Sequence, residues 1–477
     1  MGQTLSAQAV ASPYAARQSL YRKYRDQISV NPALSRGLVS YQSNRNRPYY
    51  RWFKYKEGFS AALVEYVLDK FSPNPGTILD PFAGSGAALF ASRDRGWRAT
   101  GMELLPVGAF AMRARLAAEQ VTAAQLRGAI DRFRKSDWRA EAEEALAFRH
   151  LSITKGAFST VNEADLVRYR TYIQQRIRND EIRLLFDGAA LAVLESISFT
   201  RKDGQYLRWD ERAPRNLPGK RFNKGPILDF EDAVLRQLTN MQDDMSDIGL
   251  LNGCDSSVRG GVRVLEGSCL ELLPRAKSES FNLVITSPPY CNRYDYTRTY
   301  ALELAYLGVD SERLKQFRQA LLSCTVENRA KEESLREQYR QLGQLDRFDR
   351  AAASFHGNDA LQEVLAILEA KGRARELNNA NVPRMVRNYF FESALVIHEL
   401  ARLVRPTGRI IMVNDNVQYA GEEVPVDLIL SEFAADAGLD TEHIWTLGRG
   451  KGNSSQQMGA HGRNELRKCA YVWRKPR

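Results

Sequence analysis

Two short runs concentrate the residue types that can do chemistry. One is DPFAGSG (80–86), the other TSPPY (286–290). In the first, Gly84 and Gly86 let the backbone turn tightly and let a ligand approach closely. Asp80 places a fixed negative charge ahead of them. That suits a cationic sulfonium or ammonium group and opposes a phosphate. No lysine follows Gly86, as a phosphate-binding P-loop requires, and Leu89 stands where a dinucleotide fingerprint has its third glycine. Glu103 comes about 20 residues after the turn, where an acid can accept ribose hydroxyls in nucleotide-binding sheets.

In the second run, Pro288 and Pro289 remove two N–H donors and stiffen the chain. Ser287 offers a hydroxyl, the Pro288 carbonyl a further acceptor, and Tyr290 an aromatic face. This set suits an exocyclic amine on an aromatic base, whose lone pair is delocalised into the ring. Two acceptors on its hydrogens pull the nitrogen towards tetrahedral geometry and free the pair for attack on a methyl sulfonium. A base in a duplex must leave the stack to reach such a pocket, and stacking on Tyr290 offsets that by ~1–3 kcal/mol. Taken singly, each run also reads as an ordinary structural turn. Cys291 is separated from the prolines by Tyr290, which does not match a Pro-Cys nucleophile.

Both runs close apolar strands, TILD (77–80) and FNLVITS (281–287). Further strands are expected at RATGME (98–103), VRVLEG (262–267), RIIMVN (409–414), HIWTL (443–447) and CAYVW (469–473). Helical spacing covers 59–70, with Ser60 as N-cap, then 87–95, most of 105–197, 229–244, most of 300–371, 388–404 and 424–437. The alternation predicts an α/β fold: a doubly wound, seven-stranded Rossmann-like sheet with two mainly helical insertions. The last two strands follow each other without a helix and are expected as an antiparallel pair at one edge. The catalytic core is expected in three pieces, 57–114, 259–296 and 386–477. A basic arm (1–56) precedes it. Residues 115–258 form one insertion, which the family resemblance given below makes the candidate target-recognition region, and 297–385 a helical one.

Of the 477 residues, 44% are hydrophobic and 26% charged, enough for a sizeable core. The formal net charge of +11 favours a polyanionic partner. The cysteines (Cys254, Cys269, Cys291, Cys324, Cys469) form no CxxC pair, which points to a reducing cytoplasm. The histidines show no metal-ligand spacing, so no metal is expected. No apolar run reaches the ~20 residues of a membrane span. Residues 198–226 mix basic and aromatic side chains in a loop or hairpin. There Arg201, Lys202, Tyr206, Arg208, Trp209, Lys220 and Arg221 suit phosphate contact and base stacking. The glycine-rich 448–464 reads as a flap, and the N-terminal arm as a wrap for nucleic acid or a cover for the sheet.

Together the two motifs resemble the amino-group DNA methyltransferases that act on cytosine-N4 or adenine-N6. In that family the loop reads like D-P-F-x-G-S-G and the catalytic tetrapeptide (D/N/S)-P-P-(Y/F/W). YKEGFSAALVEYVL (55–68), EGSCLELL (266–273) and GRIIMVN (408–414) extend the likeness. The resemblance implies S-adenosylmethionine as cofactor. Asp80, Phe82, Gly84 and Gly86 would contact its amino-acid end, Glu103 its ribose, and Ser268 would stand near its adenine, where the family often has Asp. Ser287, Pro288, Pro289 and Tyr290 would be catalytic, on double-stranded DNA with a flipped base. Serine at the head of SPPY favours cytosine-N4. Adenine-N6, an RNA guanine-N2 activity and an inactive nucleic-acid-binding module are the alternatives. A cognate restriction or defence protein is an expected partner.

Overall fold

A computed structural model describes residues 14–72, 74–140, 147–204, 206–215, 221–251, 260–448 and 466–477. The strands, in chain order, are β1 (Ile28–Val30), β2 (Thr77–Asp80), β3 (Arg98–Glu103), β4 (Thr200–Asp203), β5 (Tyr206–Trp209), β6 (Val262–Glu266), β7 (Phe281–Thr286), β8 (Val404–Asp415), β9 (Val417–Tyr419), β10 (Glu422–Val424), β11 (Asp440–Thr446) and β12 (Lys468–Arg474). Eight of them form one sheet in the order β1-β11-β12-β8-β7-β2-β3-β6. It is parallel except at β12, which runs against both β8 and β11. The strand order reverses between β2 and β7, the position where a doubly wound sheet opens a crevice at its carboxyl ends.

Side-chain alternation sorts the sheet into two apolar faces. Ile78, Leu283, Ile285, Ile411 and Val413 point to one face, covered by helices Ala61–Phe71 and Ala87–Arg93. Leu79, Val284, Ile410, Met412 and Trp473 point to the other, under helices Val382–Leu403 and Val426–Asp436. Ser60 caps helix Ala61–Phe71 as expected, its hydroxyl accepting from Leu63 N–H.

The expected seven strands become eight. Ile28–Val30, from the basic arm, adds in parallel beside β11, with Ile28 opposite Ile444. The antiparallel β11–β12 pair therefore lies one strand in from the edge. Helix Ala15–Tyr24 is strapped down as well, because Arg17 pairs with Glu363 at 2.7 Å and with Glu422. The start of the described arm thus covers the end of the sheet, whereas Trp52 further along bonds Asp244 of the first insertion at 2.8 Å.

The insertions differ in how they pack. In the first, helices Ala123–Lys135, Thr160–Arg176, Asp180–Ile197 and Phe230–Leu251 build a separate core around Phe133, Tyr169, Phe186 and Phe230. In the second, helices Leu345–Gly357 and Asp359–Arg373 extend the core already lying on the sheet. Among the described residues no helix is long and apolar enough to cross a membrane.

Candidate active site

The DPFAGSG turn leaves β2 and enters helix Ala87–Arg93 through two residues in the left-handed region, Gly84 (φ 54°) and Gly86 (φ 83°). A Cβ on Gly84 would lie 2.8 Å from the Tyr55 ring, and one on Gly86 2.8 Å from Phe90. Both glycines are therefore required by conformation and by space.

The turn is held by two buried carboxylates. Asp80 accepts from the Phe82 N–H at 3.0 Å and from the Thr286 hydroxyl at 2.6 Å. Glu103, at the end of β3, accepts from Gly84 N–H and Leu105 N–H, each at 2.7 Å. Burial pushes both carboxyls up to about 7, partly opposed by these hydrogen bonds. The charge of Asp80 raises Glu103 further. Both bonds to Asp80 fall on Oδ1, which leaves Oδ2 open to a ligand, while each oxygen of Glu103 accepts one bond and retains a lone pair.

These groups line one cleft. Phe82, Gly84 and Ser268 join Asp80 and Glu103 in its wall, and Ser287 and Pro289 close it from the β7 side. Both motifs therefore meet in one cavity. Two buried carboxylates of like charge leave the cleft short of positive charge, which fits a cationic ligand. Ser268 is buried and its hydroxyl donates to the Ala320 carbonyl at 2.9 Å.

Ser287 leaves the end of β7. Its hydroxyl donates to the Val413 carbonyl at 3.1 Å and lies 3.2 Å from the Tyr290 hydroxyl oxygen. Pro288 is buried, and neither it nor Tyr290 nor Gly86 belongs to the wall of the cleft. Tyr290 is half-buried, and burial with nearby Asp415 keeps its phenol protonated. The Cys291 thiol is fully buried and pushed well up by that burial, so it is no thiolate nucleophile.

Several further residues line the wall, and of these Tyr296 alone, at the end of NRYDY (292–296), reads from sequence as lining the pocket mouth or capping the next helix. Tyr55 and Glu57 come from the segment before helix Ala61–Phe71, Tyr296 from just after the catalytic motif, and Ala320, Leu321 and Leu322 from the second insertion. The first three lie in or beside motif-like segments. The last three are small or apolar and carry no chemical signal.

The basic segment folds into the β4–β5 hairpin. Arg201, Tyr206 and Arg221 are exposed, and Arg208 and Trp209 half-buried. Lys202 does not face solvent as expected. Its ammonium is buried against Glu303, because alternation along β4 turns residue 202 inward. Lys220 lies outside the described residues, as does the expected flap beyond residue 448.

No family model and no solved structure matches the chain. Curated relatives match it along nearly its whole length. It is 43% identical over 462 residues to the Type II methyltransferase M.AvaI of a Nostoc species, covering 96% of this chain and 93% of that protein. The M.AvaI of Anabaena variabilis matches to the same extent. Type II methyltransferase M.BsoBI of Geobacillus stearothermophilus is 37% identical over 480 residues, covering 98% and 93%. These relatives bear out the likeness to DNA methyltransferases carried by the two motifs, and the chain belongs to the Type II methyltransferase family.

Proposed function

We propose that this protein methylates the exocyclic N4 amine of cytosine in double-stranded DNA, using S-adenosylmethionine, as the modification partner of a restriction system. One observation carries the reading: Ser287, with its hydroxyl at the end of β7, shares a single cleft with Asp80 and Glu103. When bound, S-adenosylmethionine supplies a methyl group on a sulfonium. Asp80 and Glu103 balance that positive charge, and the left-handed turn through Gly84 and Gly86 lays the loop against the amino-acid end. Glu103 faces the ribose, and Phe82 and Ser268 complete the wall.

Ser287 and the Pro288 carbonyl accept the two amine hydrogens of the flipped base, and Tyr290 stacks on its ring. With its hydrogens held this way the nitrogen lone pair is turned towards the methyl group that S-adenosylmethionine would supply, and the proton the amine sheds on methylation would pass to water at the mouth of the cleft. Serine at the head of SPPY, which in the amino-group methyltransferases that the motif resembles is more typical of cytosine-N4 enzymes, favours cytosine over adenine.

Nucleoside mass spectrometry of DNA from cells expressing the chain tests this. N4-methylcytosine is expected. N6-methyladenine alone would transfer the assignment to the sister activity, and methylated RNA alone would move the substrate to RNA.

A further inference from the structure

The β4–β5 hairpin has two faces with opposite roles. Its inner face is consumed by the fold. Lys202 pairs with Glu303, and its ammonium sits 4.8 Å from the centre of the Tyr300 ring. Lys56 donates from its ammonium to the Lys202 carbonyl at 3.0 Å. Lys224 donates to the carbonyls of Ser198 at 2.7 Å and Thr200 at 3.0 Å. Lys202 and Lys224, two of the basic residues that make this segment look like a phosphate-binding surface, are thus fasteners for the hairpin.

They fasten it to the catalytic cleft. The Tyr300 ring under Lys202 stacks on Tyr55, centres 5.1 Å apart, and Tyr55 lines the cleft. Strand β5 also packs on helix Tyr296–Thr299, which follows TSPPY directly. A continuous layer of packed side chains therefore fixes the hairpin relative to Ser287.

The outer face is free of such ties to the core. Arg201 stands directly opposite Arg208, and Asp203 opposite Tyr206. Arg201 is exposed and Tyr206 is 53% exposed. Arg208 is braced at 3.2 Å by Asp203 and lies 4.0 Å over the Phe222 ring, which holds its guanidinium in a defined place. A two-stranded ribbon fits the major groove of DNA, and the guanidinium fork pairs bidentately with guanine O6 and N7.

From this we infer that the hairpin is the base-reading element of the enzyme. Its outer face enters the major groove beside the flipped base, with Arg201 and Arg208 on guanine edges. The inference rests on the DNA reading above and adds where, and through which residues, sequence is read. Because the inner face is packed onto the cleft, the guanines read lie at a fixed offset from the methylated base.

The test uses the full-length enzyme and the Arg201→Ala/Arg208→Ala double variant. Methylation rates are measured on duplexes carrying the site that the wild type modifies and on each of its single-base variants. Cofactor binding is titrated in parallel. The rate of the double variant on the intact site should fall about 10- to 100-fold, with discrimination relaxed at guanine positions. Its cofactor affinity should stay at the wild-type value, because both residues lie outside the cleft. Retained discrimination at every position would overturn the inference, including the case where affinity falls equally for all sequences, since that marks phosphate contact alone. A wild type that methylates no duplex DNA would defeat the DNA reading itself and the hairpin's role with it.

Discussion

The Thr286 hydroxyl donates a 2.6 Å hydrogen bond to the Asp80 carboxylate, across 206 residues of chain. It joins the last residue of β7 to the last residue of β2, at the point where the sheet order reverses. The two motifs are thus one hydrogen-bonded unit, and displacement of either displaces the other.

Thr286→Val keeps the shape and removes the donor. Asp80 Oδ1 is then left with the Phe82 N–H alone, and a lost hydrogen bond to a charged group costs ~1.5–3 kcal/mol. Thermal unfolding should show that loss, and calorimetric titration should show S-adenosylmethionine binding weakened about tenfold, since ~1.4 kcal/mol is a factor of ten. Unchanged affinity alongside lowered stability would limit this bond to a structural role.

Ser287→Ala separates binding from chemistry. The hydroxyl contacts Val413 and Tyr290 and is absent from the Asp80–Glu103 pair that balances the cofactor's charge. Cofactor affinity should therefore hold, while single-turnover methylation slows roughly tenfold, as expected for one lost hydrogen bond. A wild-type turnover rate would remove the serine from the mechanism.

Gly84→Ala should fail at the cofactor. The new Cβ meets Tyr55 at 2.8 Å and the backbone stays at φ 54°, a strain of order 1–3 kcal/mol in a residue other than glycine. Equilibrium titration should show weaker S-adenosylmethionine binding. Ala at Gly204 (φ 58°), where no atom stands within 4 Å, carries the backbone strain without the clash and serves as the control.

The raised carboxyls predict two opposite pH trends. Asp80 and Glu103 sit at about 7 in the folded protein, against about 4 when unfolded. The native state therefore holds more protons, so unliganded stability falls as pH rises between those values. Binding of a cation favours the ionised carboxylates, so S-adenosylmethionine affinity should rise from pH 6 to pH 8. S-adenosylhomocysteine, with its neutral sulfur, should follow the same trend more weakly. Denaturant titrations and calorimetry at several pH values test both. In Asp80→Asn each trend should shrink to the share of Glu103.

The two faces of the hairpin predict different stabilities. Lys202→Met strands a buried Glu303 and should cost about 3–5 kcal/mol. Arg201→Ala, on the exposed face, should change stability by less than about 0.5 kcal/mol. Lys202→Met/Glu303→Leu should recover most of the loss. Equal costs in the two single variants would contradict the partition of inner and outer residues.

The positions along the chain of the main-sheet strands from β2 onward, the Ser60 cap and the glycine turn were legible in the sequence because each is written locally. Apolar alternation, a capping hydroxyl and a left-handed glycine need only a few neighbouring residues. The placement of both chemical motifs at strand ends followed from the same signals. The tertiary structure decided the rest. Ile28–Val30 is too short to announce itself as a strand and becomes one only beside β11. Ala320–Leu322 forms a wall of the cleft without any residue of chemical character. Arg201 and Lys202 are adjacent, equally basic and indistinguishable by composition, yet the pairing of β4 with β5 sends one to solvent and buries the other against Glu303. The Thr286–Asp80 bond is of the same kind. Local propensity sets which elements form, but a contact between residues 206 positions apart exists only once strand pairing has brought two strand ends together.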